Sequence, residues 1–444
     1  MDAPGAWHTL GRVHNIHDAN TTAHGGPVRP EPRPAPAHHL LLLDARTVTE
    51  LRGRVAHLID QVRAPGPDGL GDVAERSQRG LAGRPVRAGV VAASAEQACE
   101  RLGALAAALR DGVAATFDVA NGVFAGDADR VDGEPRIGYL FPGQGSTIGI
   151  GGDALTGRFD TARDFYRTVP LPAAGDPGSL GAAQPRIVAS SATGVRVLSE
   201  LGIEASVAAG HSLGELTALQ WAGAMSEADL PALAAAHGRI LADVCTGDGM
   251  MAVVTGSRDE VEPLLRGEPV AVAGYNSPAQ TVVAGPAEAF PRVRRAAVAA
   301  GLKAARLPVP DAFHTPVMAP AAGPLRAYLA GRRFRPLERR VVSTVTGDVL
   351  PPDTDLRDLL VEQLCTPVMF SQAVQRMAGE VSLIIEVGPG RLLSVHAARV
   401  CPDVPVVPLA ADEPSLSGVL SAAAAAYVLG APVRHDRLVA GSTV

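Results

Sequence analysis

Residues 210–215 read Gly-His-Ser-Leu-Gly-Glu, which sets Ser212 between Gly210 and Gly214. A serine that attacks an acyl carbon must stand on a sharp strand-to-helix turn, and glycines two positions to either side let the backbone through without a side-chain collision. A serine N-cap opening an ordinary helix would share this local pattern. Attack on an acyl carbon creates an oxyanion that needs two backbone N–H donors, one usually from the residue after the nucleophile and one from a loop elsewhere. The candidates are Leu213 and Gln144, the latter in the glycine-flanked loop that closes the segment Ile137-Gly-Tyr-Leu-Phe-Pro-Gly-Gln-Gly-Ser146. The reaction also needs a base. Several of the 12 histidines fall in a proline- and histidine-rich N-terminal stretch, whereas His314 sits in the proline-flanked loop Leu307-Pro-Val-Pro-Asp-Ala-Phe-His-Thr-Pro316. A neutral imidazole there can take the serine proton if its other ring nitrogen is held. His211 leaves the elbow in another direction and is read as shaping the pocket.

These groups need a scaffold, and the pattern supplies one. The apolar run 205–209 predicts a short buried strand before Ser212, and 215–223 has helical spacing after it. Strands and helices alternate from Arg136 to Asp248, as in a parallel α/β sheet, with Ile384 to Val387 as a late buried strand. From 249 to 307 the order is strand, helix, strand, helix (251–254, 259–265, 281–284, 290–300), which predicts a ferredoxin-like insert. Upstream, 39–44 and 86–92 read as strands and 47–62 and 95–109 as helices, a small α/β unit. The alanine-rich stretch 421–429 predicts a closing helix.

The motifs together resemble one family, the malonyl-CoA:acyl carrier protein transacylases and the acyltransferase domains of modular polyketide and fatty acid synthases. From about residue 136 to about 410 they occur in family order: Phe141-Pro-Gly-Gln-Gly-Ser146, Gly210-His-Ser-Leu-Gly-Glu215, Gly249-Met-Met-Ala252, Tyr275-Asn-Ser-Pro278, the loop ending in His314, Gln363-Leu-Cys-Thr-Pro-Val-Met-Phe370 and Glu386-Val-Gly-Pro-Gly390. The resemblance implies an α/β-hydrolase-like large subdomain with an inserted ferredoxin-like small subdomain, preceded by an α/β linker subdomain. It implies a Ser212–His314 dyad without a carboxylate, with His314 oriented by the backbone carbonyl of Gln363, and an oxyanion hole made by the amides of Gln144 and Leu213. It also places Asn276 of the Tyr-Asn-Ser-Pro motif in the substrate pocket. The expected reaction is ping-pong acyl transfer from a CoA or carrier-protein thioester to an acyl carrier protein thiol, with no bound cofactor and no metal. A ketosynthase or larger synthase is a further expected partner. The linker unit suggests descent from, or excision out of, an assembly line, while Met1 and the tail keep a free-standing enzyme open.

The chain departs from that pattern in the pocket. Relatives that load malonyl or methylmalonyl groups carry an arginine about 25 residues after the serine, whose guanidinium pairs bidentately with the free carboxylate of the extender unit. Aligned without a gap, that position holds His237, and Arg239 lies two residues on, where a helix turns it to another side. A pocket with His237 in place of arginine favours a neutral or hydroxylated acyl group. The specificity loop reads Asp311-Ala-Phe-His314: Phe313 resembles the malonyl type, and Asp311 is expected near the pocket, where it would repel an anionic substrate. An acyl hydrolase on the same scaffold and a malonyl or methylmalonyl extender enzyme are the alternatives.

Composition fits this reading. The 444 residues carry a net charge of −6 and are 47% hydrophobic, enough for two or three domains and against a nucleic-acid partner. No apolar run reaches membrane-spanning length and no signal peptide opens the chain, so the expected place is the cytoplasm. The 4 cysteines are too widely spaced for a metal knuckle or a disulfide framework. The expected divisions are 1–36 extended or disordered, 37–132 linker subdomain, 133–248 with 308–432 large subdomain, 249–307 small subdomain and 433–444 tail.

Overall fold

The computed structural model describes residues 37–64, 69–110, 115–131, 133–145, 153–171, 179–309 and 311–438. The expected extended segment 1–36 and the last residues of the tail lie outside them, as does Ser146 of the glycine-flanked loop.

The chain first builds a four-stranded antiparallel sheet from β1 (His39–Ala45), β2 (Val86–Ala92), β3 (Thr116–Asp118) and β4 (Val123–Asp127), in the order β1-β2-β4-β3. The helix Val48–Arg63 starts where the sequence signals it. Thr47 caps it by accepting from the Glu50 N–H at 3.2 Å, and the Glu50 carboxylate returns to the Arg46 N–H at 3.0 Å. A further helix, Gly69–Arg79, and the strands β3 and β4 were not anticipated. Both strands are short, with turn residues between them, and carry little period-two signal.

Two more strands, β5 (Ile137–Phe141) and β6 (Val207–Gly210), lie side by side and parallel at the heart of the molecule. The chain then leaves to form β7 (Gly249–Val254), β8 (Ala271–Ser277), β9 (Gln280–Pro286) and β10 (Ala304–Arg306), an antiparallel sheet in the order β10-β7-β9-β8 with the helix Phe290–Ala299 against it. That is the strand order of a ferredoxin-like unit. The sequence showed only two of its strands. In β8 the register shifts twice, between Val272 and Gly274 and between Tyr275 and Ser277, and such bulges erase the alternation that marks a strand.

On its return the chain adds β11 (Arg340–Val341), β12 (Leu383–Glu386) and β13 (Val406–Pro408), completing a parallel five-stranded sheet in the order β11-β6-β5-β12-β13. The small sheet is tied to the large body beside β8, where the segment before the helix Phe370–Ala378 bridges it: the Tyr275 N–H donates to Val368 O and the Val368 N–H to Ala273 O, each at 2.9 Å.

The closing helix runs from Ser417 to Val428, starting before the predicted 421. Residues 421–428 are all buried, because it lies between the N-terminal sheet and the edge of the central one, against β2 and β13. A helix apolar on every side fits only such a sandwiched place. Gly89 and Gly126 let it approach: a Cβ on Gly89 would lie 2.9 Å from Ala424 Cβ, and one on Gly126 2.8 Å from Val428 O. Leu40, Leu42 and Phe124 of the N-terminal sheet thereby share one core with Ile137, Tyr139 and Ala422.

Candidate active site

The β6 strand ends at Gly210 and the helix Gly214–Trp221 begins at once, with Ser212 between them at φ 54°. Both flanking glycines are sterically required. A Cβ on Gly210 would stand 2.1 Å from the Gly214 carbonyl carbon, and one on Gly214 2.0 Å from Phe141 O. His314 is likewise left-handed, at φ 60°. Among the described residues only three non-glycines have such a backbone, and Ser212 and His314 are two of them. Each conformation costs of order 1–3 kcal/mol and persists only where surroundings impose it.

The imposed geometry joins the two. Ser212 Oγ lies 2.6 Å from His314 Nε2, and His314 Nδ1 lies 3.0 Å from the carbonyl oxygen of Gln363. A carbonyl can only accept, so Nδ1 carries the ring proton and Nε2 presents a lone pair to the serine hydroxyl. Burial lowers the His314 pKa to about 4, and the Gln363 carbonyl partly opposes this. The ring is therefore neutral at pH 7. Gln363 also donates from Nε2 to Ser212 O at 3.1 Å, so one residue at the end of the helix Leu356–Glu362 fixes both partners.

The loop after β5 lies against the elbow. A Cβ on Gly143 would be 2.2 Å from His211 O and 3.3 Å from Leu213 N, a contact only glycine permits. Gln144 follows directly. The Leu213 N–H has no backbone acceptor among the described residues, because the turn bonds run from Gly214 to His211 and from Glu215 to Ser212. The loop that carries Gln144 thus packs against the Leu213 N–H, next to Ser212.

His211 turns away from the pair. Its Nε2 is 3.0 Å from Asn276 Oδ1, its ring packs edge-on to Phe370 at 5.3 Å, and burial lowers its pKa. His237, on the helix Asp229–Val244, is linked through Gln184 to Gln144 of the loop beside the elbow, and burial, then the neighbouring His314, bring its pKa down to about 4. Its Nδ1 is 2.9 Å from Gln184 Oε1, and Gln184 Nε2 donates to Gln144 Oε1 at 2.9 Å. Arg239 points outward, exposed, with Nε on the Ala235 carbonyl at 3.3 Å. Phe313 is half-buried and touches both the large core and the inner face of the small sheet.

Asp311 corrects the sequence reading. It is 1% exposed, and its carboxylate is spent on backbone donors, Thr246 N at 2.8 Å and Ala312 N at 2.7 Å. Gly249 makes room for it, since a Cβ there would lie 2.0 Å from Asp311 Oδ1. The aspartate ties the specificity loop to the start of β7 rather than presenting charge to a substrate.

Two participants escaped the sequence reading. Gln184 is 2% exposed in the alanine-rich helix Leu180–Glu200; a lone amide among small apolar residues was the available signal. Glu215 is fully buried behind the elbow and accepts from the Thr344 N–H at 3.2 Å and hydroxyl at 3.1 Å. That hydroxyl also lies 2.6 Å from Gly210 O. Burial raises the Glu215 pKa to about 7.

Residues 177–411 match the model of the acyl transferase domain. The chain belongs to this family. It is 34% identical over 353 residues to the polyketide synthase GfsB of Streptomyces halstedii, covering 73% of this chain but 6% of that synthase. Over 280 residues it is 34% identical to the malonyl CoA-acyl carrier protein transacylase of Bacillus subtilis, covering 58% of this chain and 88% of that protein. The acyltransferase domain of an iterative polyketide synthase in enediyne biosynthesis superposes with a TM-score of 0.75 at 33% identity, covering 89% of this chain and 97% of that domain. The protein is an acyltransferase. Its α/β fold, with a parallel sheet and a smaller antiparallel insert, is that of these relatives. Among the described residues no helix is long and apolar enough to cross a membrane, and no cluster of side chains suits a metal ion.

Proposed function

We propose that the protein moves a neutral or hydroxylated acyl group from a CoA or carrier-protein thioester, through an ester on Ser212, to the phosphopantetheine thiol of an acyl carrier protein. The observation that carries this reading is the Ser212 Oγ to His314 Nε2 contact of 2.6 Å, with the imidazole held by Gln363. His314 takes the Ser212 proton as Oγ bonds to the thioester carbon. The N–H groups of Leu213 and Gln144 receive the oxyanion. When the intermediate collapses the C–S bond breaks, and the imidazolium returns its proton to the departing thiolate. A second thiol then repeats the sequence in reverse and frees the serine. Every step is carried by these side chains and amides, so the reading calls for no bound cofactor or metal.

The choice of acyl group follows from electrostatics. By the resemblance, His237 takes the position at which malonyl-loading relatives have arginine; its imidazole is neutral, Arg239 is turned to solvent, and a carboxylate desolvated without a cation is strongly disfavoured. Competition between malonyl and neutral acyl thioesters tests this. Neutral acyl groups should occupy the enzyme first, and a clear win for malonyl would overturn the pocket reading. Supplying either a phosphopantetheinylated carrier protein or buffer alone decides the second step. Transfer to the carrier should outrun release of free acid, and the reverse would make the protein an acyl hydrolase.

A further inference from the structure

The side-chain relay from Gln144 Oε1 through Gln184 to His237 takes no step in the proposed reaction. Gln184 spends its N–H on Gln144 Oε1, so it faces His237 with its carbonyl oxygen, 2.9 Å from Nδ1. That oxygen accepts only, and His237 Nδ1 must therefore hold the ring proton. In a neutral imidazole the other nitrogen, Nε2, is then a bare lone pair. Nε2 has no protein partner among the described residues and is not sealed from solvent. Where the malonyl-loading relatives offer a guanidinium, which can only donate, this pocket offers an acceptor.

We propose that His237, held in its Nδ1–H tautomer by Gln184, is a specificity-determining acceptor that selects acyl chains bearing a hydroxyl at C3, where a malonyl unit carries its carboxylate. The inference rests on the reading of the protein as an acyltransferase for neutral acyl groups. A C3 hydroxyl donates to Nε2. A C3 ketone sets lone pair against lone pair, and an unsubstituted chain leaves Nε2 desolvated without a donor. A site built around such a hydrogen bond rejects analogues that lack it.

The test compares pantetheine thioesters of 3-hydroxybutyrate, 3-oxobutyrate, butyrate and malonate, following the rate of adduct formation on the enzyme. The 3-hydroxybutyryl group should load roughly tenfold or more faster than the 3-oxo and unsubstituted groups. In Gln184→Met, close in shape but without the acceptor, the hydroxy-to-oxo ratio should fall to within about threefold. Nitrogen-15 spectra of the native imidazoles, with the His237 signal identified by its loss in His237→Gln, should show a protonated Nδ1 and a bare Nε2. This readout does not depend on the Met variant folding. Equal loading of the three neutral groups ahead of malonyl overturns this inference and leaves the proposed function standing. Malonyl ahead of all three overturns both. A preference for the oxo group, or a protonated Nε2, means the amide is turned the other way and contradicts the proposal.

Discussion

In the proposed reaction two side chains, Ser212 and His314, carry the chemistry, and the protonation of the imidazole can be read from its partners. His314 donates to a backbone carbonyl and is desolvated, which keeps it neutral, with an unprotonated Nε2 that accepts from the Ser212 hydroxyl. Its depressed pKa extends the working range on the acid side. The base is competent above its folded pKa and is lost as pH falls through it, so the acid limb of kcat/KM for acylation should lie near pH 4 rather than at the ordinary histidine value of about 6.5. A pH–rate profile with its inflection at the ordinary value would show a solvated base. His314→Ala should slow acylation by roughly two to four orders of magnitude, measured as single-turnover adduct formation. His211→Ala should cost far less, because its Nε2 is engaged with Asn276 instead of the serine. A loss as large as that of His314→Ala, with folding intact, would mean that the base is misassigned. Residue spacing made legible the turns that bring Ser212 to His314 and the Gly143 loop to Leu213, since glycines and prolines advertise the turns they sit in. The Gln184 amide and the true partners of Asp311 were not legible, because a buried hydrogen bond between distant segments leaves no local period.

At the scale of elements, the site depends on backbone contacts too close for any side chain. Gly143→Ala would drive a Cβ into the His211 carbonyl and push the loop of Gln144, the proposed second oxyanion donor, off the elbow. Acylation should fall by about 10²–10³-fold, the usual effect of losing one oxyanion donor, while circular dichroism stays native. An unchanged rate would place the second donor outside this loop. Behind the elbow, Glu215 and Thr344 brace the turn at Gly210. The Glu215 pKa is raised from 4.5 to about 7, so the folded state favours the protonated acid. The associated stability is fully present below pH 4.5 and is lost as pH rises through about 7, a total of roughly 3 kcal/mol. Urea midpoints taken across that window should decline less in Glu215→Gln than in the native protein. Parallel slopes would show that Glu215 ionises as freely in the folded state as in the unfolded one. The strands that sequence missed, β3, β4, β8, β10, β11 and β13, are short or bulged, whereas regular β2, β5 and β12 announced themselves as apolar runs.

For the whole molecule, the N-terminal sheet and the transferase body are one structure. The closing helix is buried on all sides between them, and the core runs from Leu40 through Ala424 to Ile137 without a break. A chain starting at Arg136 should expose the face of Ser417–Val428 that β2 and β4 cover, and should be recovered largely aggregated or with a clearly lowered Tm. A truncated protein as stable as the full chain would show that the sheet is an appendage. The sequence announced the helix by its alanine run but not its neighbour, since a helix apolar all round does not say which layers enclose it.

The central claim is that Ser212 carries the acyl group. Intact-mass spectrometry after brief exposure to neutral acyl thioesters should show one added acyl group on the native protein, mapped to the peptide containing Ser212, and none on Ser212→Ala. An adduct that survives in Ser212→Ala, or that maps to another residue in the native protein, would contradict it.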